Sequence, residues 1–141
     1  MTVVIEIDSN GDETSSTFSL IYDASILTNP VIAKGFDIPG DIMANASKAG
    51  EIGLSVDHGS ANLQRGKGLR LLTVTFDVSA KGAGSTAIRF GDIPAVRSVS
   101  DSSANDLRTE FIDGFVEIAR IRGSDQADET IEAIIGGAFS M

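Results

Sequence analysis

Hydrophobic and polar positions alternate along this chain in short runs, with turn-forming residues between them. The clearest run spans residues 17–22, where Phe18, Leu20 and Tyr22 interleave with Thr17, Ser19 and Ile21. A period of two sends one set of side chains toward a core and the other outward, as in a half-buried strand. Asp23 ends the run, because its carboxylate can accept hydrogen bonds from the following backbone N–H groups and stop the ladder. Ile26 and Leu27 then read as a plug folded back over the end of the core. Upstream, Val3, Ile5 and Ile7 share one face of a first strand. Asn10-Gly11 follows it, a turn signal because both residue types tolerate positive φ. These two runs predict an antiparallel hairpin.

The theme repeats downstream. Residues 31–36 predict a short strand closed by Pro39-Gly40, and the polar, small-residue stretch 41–49 predicts a loop with at most one helical turn. In residues 51–57, Ile52, Leu54 and Val56 point inward, and residues 58–67 form the next loop. The longest strand covers residues 69–78, with Leu72, Val74, Phe76 and Val78 facing the core. Turns at residues 82–84 and 91–94 flank a strand at 85–90. Residues 96–99 and Phe111-Ile112 precede a closing strand at 114–118. About eight strands at this spacing predict an all-β fold, an antiparallel β-sandwich, over residues 1–121.

Residues 122–141 differ. Ser124 or Asp125 can cap a short C-terminal helix that places Ala127, Ile131, Ile134 and Ile135 on one stripe, stopped by Gly136-Gly137. So short a stripe needs something to dock on. The candidates are the sandwich, a second chain, or a linker toward a further module.

Composition narrows the function classes. The chain has 141 residues, of which 42% are hydrophobic, enough for a single domain with a core. A net charge of −9 repels nucleic acid and anionic membrane surfaces. With no Cys, thiolate metal sites, disulfides and Cys nucleophiles are excluded, and the single His58 excludes a multi-His metal site. No run approaches the ~20 apolar residues that span a bilayer as a helix, so no membrane insertion is expected. Residues 1–6 lack a basic region and cleavage site, so they do not read as a signal peptide.

Candidate chemistry is sparse. Residues 8–13 carry carboxylates at intervals resembling a calcium loop, but the distal bidentate Glu of such a loop is missing and a hairpin turn fits every residue. Asp23 with Asp77, or Glu51 with Asp57, could be imagined as a glycosidase pair, yet each is explained by a strand end or a solvent face. In a polar loop, His58 reads as a solvated side chain. Arg65, Lys67 and Arg70 around Gly66 and Gly68 lack the spacing of a phosphate loop. No Trp and one inward-facing Tyr leave little for a sugar-stacking platform. No cofactor and no catalytic residue are expected, and the chain reads as a non-enzyme.

Taken in order, several motifs resemble a cohesin-type module of bacterial surface and secreted proteins. They are Val3-Val4-Ile5-Glu6-Ile7 with its polar turn, residues 18–23 followed by Ser25-Ile26-Leu27, and Gly50-Glu51-Ile52-Gly53. Residues 72–78, 90–101 and 114–118 complete the series, which covers residues 2–119. The resemblance implies a jelly-roll sandwich of about eight or nine strands that binds a dockerin-type protein module through a flat sheet face. It also implies an extracellular or cell-surface setting in a bacterium or archaeon. Two departures stand out: the family's strand before residues 3–7 is not seen, and the tail after Ile121 lies outside the pattern. An edge left open by that strand would suit the tail, a second chain or a ligand, so homo-oligomers are a further expectation.

By the same resemblance, the binding sheet contains the strands at residues 17–23, 51–57 and 69–78 and the 95–100 segment. Its outward positions are Thr17, Ser19, Ile21, Glu51, Ser55, Leu71, Thr73 and Thr75. Ile21 and Leu71 are the apolar members, so Ile21→Asp or Leu71→Asp should leave the fold intact and abolish binding. The alternatives are a structural, self-associating repeat of a surface protein, or a carbohydrate-binding module linked to polysaccharide degradation.

Overall fold

A computed structural model describes residues 1–59, 63–79 and 84–118, and the backbone of 133–140. Two sheets face each other. The first contains β1 (Thr2–Ser9), β3 (Leu27–Lys34), β6 (Gly66–Val78), β9 (Thr109–Phe111) and β11 (Ala133–Ser140), in the order β3-β6-β1-β11-β9. The second contains β2 (Ser15–Tyr22), β4 (Ile42–Asn45), β5 (Glu51–Asp57), β7 (Gly84–Gly91) and β10 (Gly114–Ile118), in the order β10-β7-β2-β5-β4. A short β8 (Ser98–Ser100) also pairs with β2. The chain passes back and forth between the sheets, as a jelly-roll sandwich requires. Among the described residues there is no helix, and hence none able to cross a membrane.

Alternation explains the core. Val3, Ile5 and Ile7 of β1 meet Phe18 and Leu20 of β2, Ile52, Leu54 and Val56 of β5, and Leu72, Val74 and Phe76 of β6, all buried. Phe18 and Phe90 pack edge to face at 5.3 Å, and Tyr22 lies 4.9 Å from Phe76, the separations aromatic pairs prefer. Asp23 closes β2 as the sequence predicts: its Oδ1 accepts from the Ser25 N–H and hydroxyl. Leu27 is fully buried beside half-buried Ile26, which is the expected plug.

The first two strands form no hairpin: β1 pairs with β6 and β11 and β2 with β5, β7 and β8, so the turn between them crosses from one sheet to the other, because each edge finds its ladder partner in a distant strand. That turn is locked by a carboxylate. Buried Glu13 accepts from the Ser9 hydroxyl and from the N–H groups of Asn10 and Gly11, and Gly11 takes φ 95°. Two of the carboxylates in residues 8–13 are thus committed to the turn and its neighbours: Glu13, and Asp8, which accepts from Gly68 N–H, while Asp12 is exposed.

Four more expectations need correction. Strand 69–78 does not share a sheet with β2 and β5: β6 pairs with β1 and β3 on the opposite layer. Leu71 does not face outward. Ile5 opposes Leu72 and Glu6 opposes Arg70, so Leu71 is the extra residue of a β-bulge and is fully buried next to Leu72. Asp there would place an unpaired charge in the core, which destabilises by several kcal/mol, rather than leaving the fold intact. Residues 42–45 are an edge strand, not a loop, pairing antiparallel with β5. His58, expected to be solvated, is fully buried. Its Nε2 lies 2.9 Å from the Ser16 hydroxyl, and its N–H donates to Thr14 O.

The tail holds a further difference. Most of the expected helix, including Ala127 and Ile131, lies outside the described residues. Ile134 and Ile135 lie in β11, which runs parallel to β1. Gly136-Gly137 is no helix stop. Ile5 opposes Ile135 and Ile7 opposes Ala138, so the two glycines face the single residue Glu6 across a bulge. Each glycine disfavours a helix by about 1 kcal/mol, whereas β1 offers a backbone edge whose N–H and C=O groups need partners.

Candidate functional site

Six strands present the outer face of the second sheet, and the segment between β7 and β8 arches over it. Gly91 pairs with Ser19 and Ser98 pairs with Thr17, so the chain leaves the edge of β2 after Gly91 and rejoins it at Ser98. Residues 92–97 cross the face between these two points. Ser19 fixes the arch from beneath: its Oγ donates to Ala95 O at 2.7 Å and accepts from Ala95 N–H at 2.8 Å. Gly53 makes room for it, since a Cβ there would sit 2.8 Å from Pro94 Cγ. The arch contains a cis Ile93–Pro94 bond. Asp92 accepts from the Arg97 N–H, Nε and Nη2 at 3.0 Å each, which ties its two ends. Those hydrogen bonds from Arg97 hold the Asp92 carboxyl below the usual carboxylate range.

Beside the arch lies a shallow groove of about 240 Å³, lined by Thr17, Met43, Asn45, Ser55, Pro94 and Ala95 among others. Met43 in its lining is 76% accessible, and Ile93 and Val96, the arch residues on either side of the lining pair Pro94-Ala95, are 70% and 63% accessible. Single exposed apolar side chains are ordinary, but one in the groove and two on the arch that borders it suit a contact surface. The groove is smaller than the clefts that enclose small ligands. No carboxylate, imidazole or aromatic ring lines it.

The eight residues expected on the binding face divide into four groups. Thr17 and Ser55 line the groove. Ile21 and Glu51 lie on the same face but are engaged: Ile21 packs against Gly91, and Glu51 pairs with Lys48 at 3.0 Å. Ser19 is on that face yet fully buried beneath the arch. Leu71, Thr73 and Thr75 belong to the other sheet, with Leu71 in the core, Thr73 half-buried and Thr75 exposed beside Thr2. The 95–100 segment does join the β2 sheet, through β8.

Sequence reasoning misses Met43, Asn45, Ile93 and Pro94, and reaches Val96 only through the 95–100 segment. Met43 and Asn45 lie in a stretch whose pattern predicts a loop, and the turn signal at residues 91–94 does not indicate which face it covers. Among the described residues no group of three or more acidic, His or Cys side chains could hold a metal ion.

No protein-family model matches the sequence, and neither does any curated protein sequence. Solved structures do match, over nearly the whole chain. The cohesin CaCohA2 from Clostridium acetobutylicum is 14% identical, with a TM-score of 0.58 over 99% of this chain and 90% of that one. The third cohesin of ScaC from Acetivibrio cellulolyticus, solved in complex with the ScaB dockerin, is 13% identical, with a TM-score of 0.58 over 99% and 98%. A non-cellulosomal cohesin from the hyperthermophilic archaeon Archaeoglobus fulgidus is 13% identical, with a TM-score of 0.55 over 99% and 88%. Two facing sheets, their strand order and these likenesses together give the chain a cohesin-like β-sandwich fold.

Proposed function

We propose that this chain is a non-catalytic protein-recognition module that receives a dockerin-type partner on the outer face of the β10-β7-β2-β5-β4 sheet. One observation carries the reading: the exposed side chain of Met43 in the groove, with exposed Ile93 and Val96 on the arch that borders it. Small apolar anchors on a broad polar sheet suit a protein surface, where a few buried contacts supply most of the affinity. The likeness to cohesins solved with dockerins supports the class of partner. A sugar ligand fits less well, because no aromatic ring lines the groove. The corresponding setting is extracellular, on a bacterial or archaeal surface protein.

Thr73, Thr75 and Leu71 leave the proposed contact set, and Met43, Asn45, Ile93 and Val96 join Thr17 and Ser55 in it. Calorimetry against a panel of dockerin modules tests this. The wild-type chain should bind at least one of them, and Met43→Asp and Val96→Asp should each weaken that binding by about 30-fold. Thr75→Asp, on the opposite sheet, should bind normally. Loss of binding with Thr75→Asp, or none in the Met43 and Val96 variants, overturns the choice of face. A panel that the wild type ignores entirely overturns the choice of partner.

A further inference from the structure

The C-terminal strand fills a position that its own connection does not dictate. β11 lies between β1 and β9, parallel to the first and antiparallel to the second. The described strand before it, β10, belongs to the opposite sheet, and residues 119–132 separate the two. A chain of that length can span up to about 45 Å when extended, enough to reach this slot or the same slot on a neighbouring molecule.

The slot does not depend on β11 for its walls. β1 keeps its full ladder with β6, and Phe111 of β9 packs against Phe18 at 6.4 Å and Phe90 at 5.3 Å. Without a strand between them, β1 and β9 would each present an unpaired row of backbone N–H and C=O groups, the kind of edge that another strand completes. We propose that this slot is a strand-acceptor site and that residues 133–140 of a second copy of the chain can fill it in place of the chain's own.

A second copy is the occupant the structure favours, because the fit is specific. Gly136-Gly137 faces Glu6 at a bulge in the β1–β11 ladder. On the other side of Glu6, β1 meets the Leu71 bulge of β6. An incoming strand must therefore bring its small residues to that level, and residues 133–140 do. Hydrogen bonds made in trans equal those made in cis, so the balance rests on the effective concentration that the covalent connection gives the chain's own strand, about millimolar for short linkers. Exchange should then emerge where copies are crowded together.

The absence of native cysteine makes the test direct. Thr109 of β9 and Ser140 of β11 are directly opposed, and opposed antiparallel residues have Cα atoms about 4.5–5.5 Å apart, within disulfide reach. Full-length Thr109→Cys and Ser140→Cys chains are mixed at high concentration, incubated under mild oxidation and resolved by non-reducing electrophoresis and mass spectrometry. The expected product is a covalent heterodimer far in excess of what random pairing gives relative to the two homodimers. A random product distribution, or chains that stay monomeric, overturns the proposal. So does a double variant, Thr109→Cys with Ser140→Cys, that closes only within one chain at every concentration tried.

Discussion

Ser19→Ala is the most informative single change, because the Ser19 hydroxyl is the only part of that side chain that binds the arch. It donates to Ala95 O at 2.7 Å and accepts from Ala95 N–H at 2.8 Å, in a fully buried position. Each such bond contributes about 1 kcal/mol net, and a buried group left unpaired costs about 1–3 kcal/mol. Ala95 is only half-buried, so once the hydroxyl is gone part of that loss is recovered by water reaching its backbone. The expected cost is about 2 kcal/mol, felt mainly as detachment of residues 92–97. Urea unfolding should show a lower midpoint with an unchanged slope, and the melting temperature should fall by about 6 °C. Hydrogen exchange at the Ala95 amide should accelerate by about 30-fold. If the proposed face takes a partner, its affinity should fall as well, since Ile93 and Val96 would no longer be held in place. An unfolding midpoint and an Ala95 exchange rate both equal to wild type would refute the claim that Ser19 holds the arch to the sheet.

Other substitutions separate the core from the working face. Gly53→Ala puts a Cβ 2.8 Å from Pro94 Cγ. It should displace the arch, weaken partner binding and cost about 1–3 kcal/mol in urea unfolding, with the far-UV circular dichroism spectrum unchanged. Leu71→Asp should abolish cooperative folding, seen as loss of the thermal transition, because its position is fully buried. His58 makes the stability pH-dependent. Burial drives its imidazole below the ordinary value of 6.5, against the opposing pull of the Glu13 carbonyl and the charges of Glu13 and Asp57. A depressed folded pKa means that the unfolded chain takes up this proton first. The neutral imidazole therefore contributes fully above pH 6.5, and that contribution fades as pH falls below it. His58→Gln should flatten the fall in urea stability that sets in below pH 6.5; an unchanged slope would show that His58 does not report on folding.

Much of the sandwich could be read directly from side-chain alternation. Phe18, Leu20, Ile52, Leu54, Val74 and Phe76 all lie where a period of two puts them, because each strand has one face against the other sheet. Leu71 escaped that logic for a reason visible in hindsight. Leu69 is in phase with Leu71, whereas Val74 and Phe76 are in phase with Leu72, so the adjacent leucines mark a slip of one residue. Which sheet a strand joins is not encoded in its own pattern, and β6 was therefore assigned to the wrong layer. His58 was misjudged because its partner Ser16 lies far away in sequence. The groove was only half legible: Thr17 and Ser55 follow from alternation, but Met43 sits on a four-residue edge strand too short to show a period. In β11, glycines that would end a helix instead occupy a bulge, a reading that requires its neighbour β1.

The edge of β2 is stitched in two separate places, by β7 below and by β8 above. Whatever lies between Gly91 and Ser98 can therefore grow, shrink or change its chemistry without unpicking either seam. The outer face of the sheet can thus be recontoured by one short overhang while the scaffold stands still.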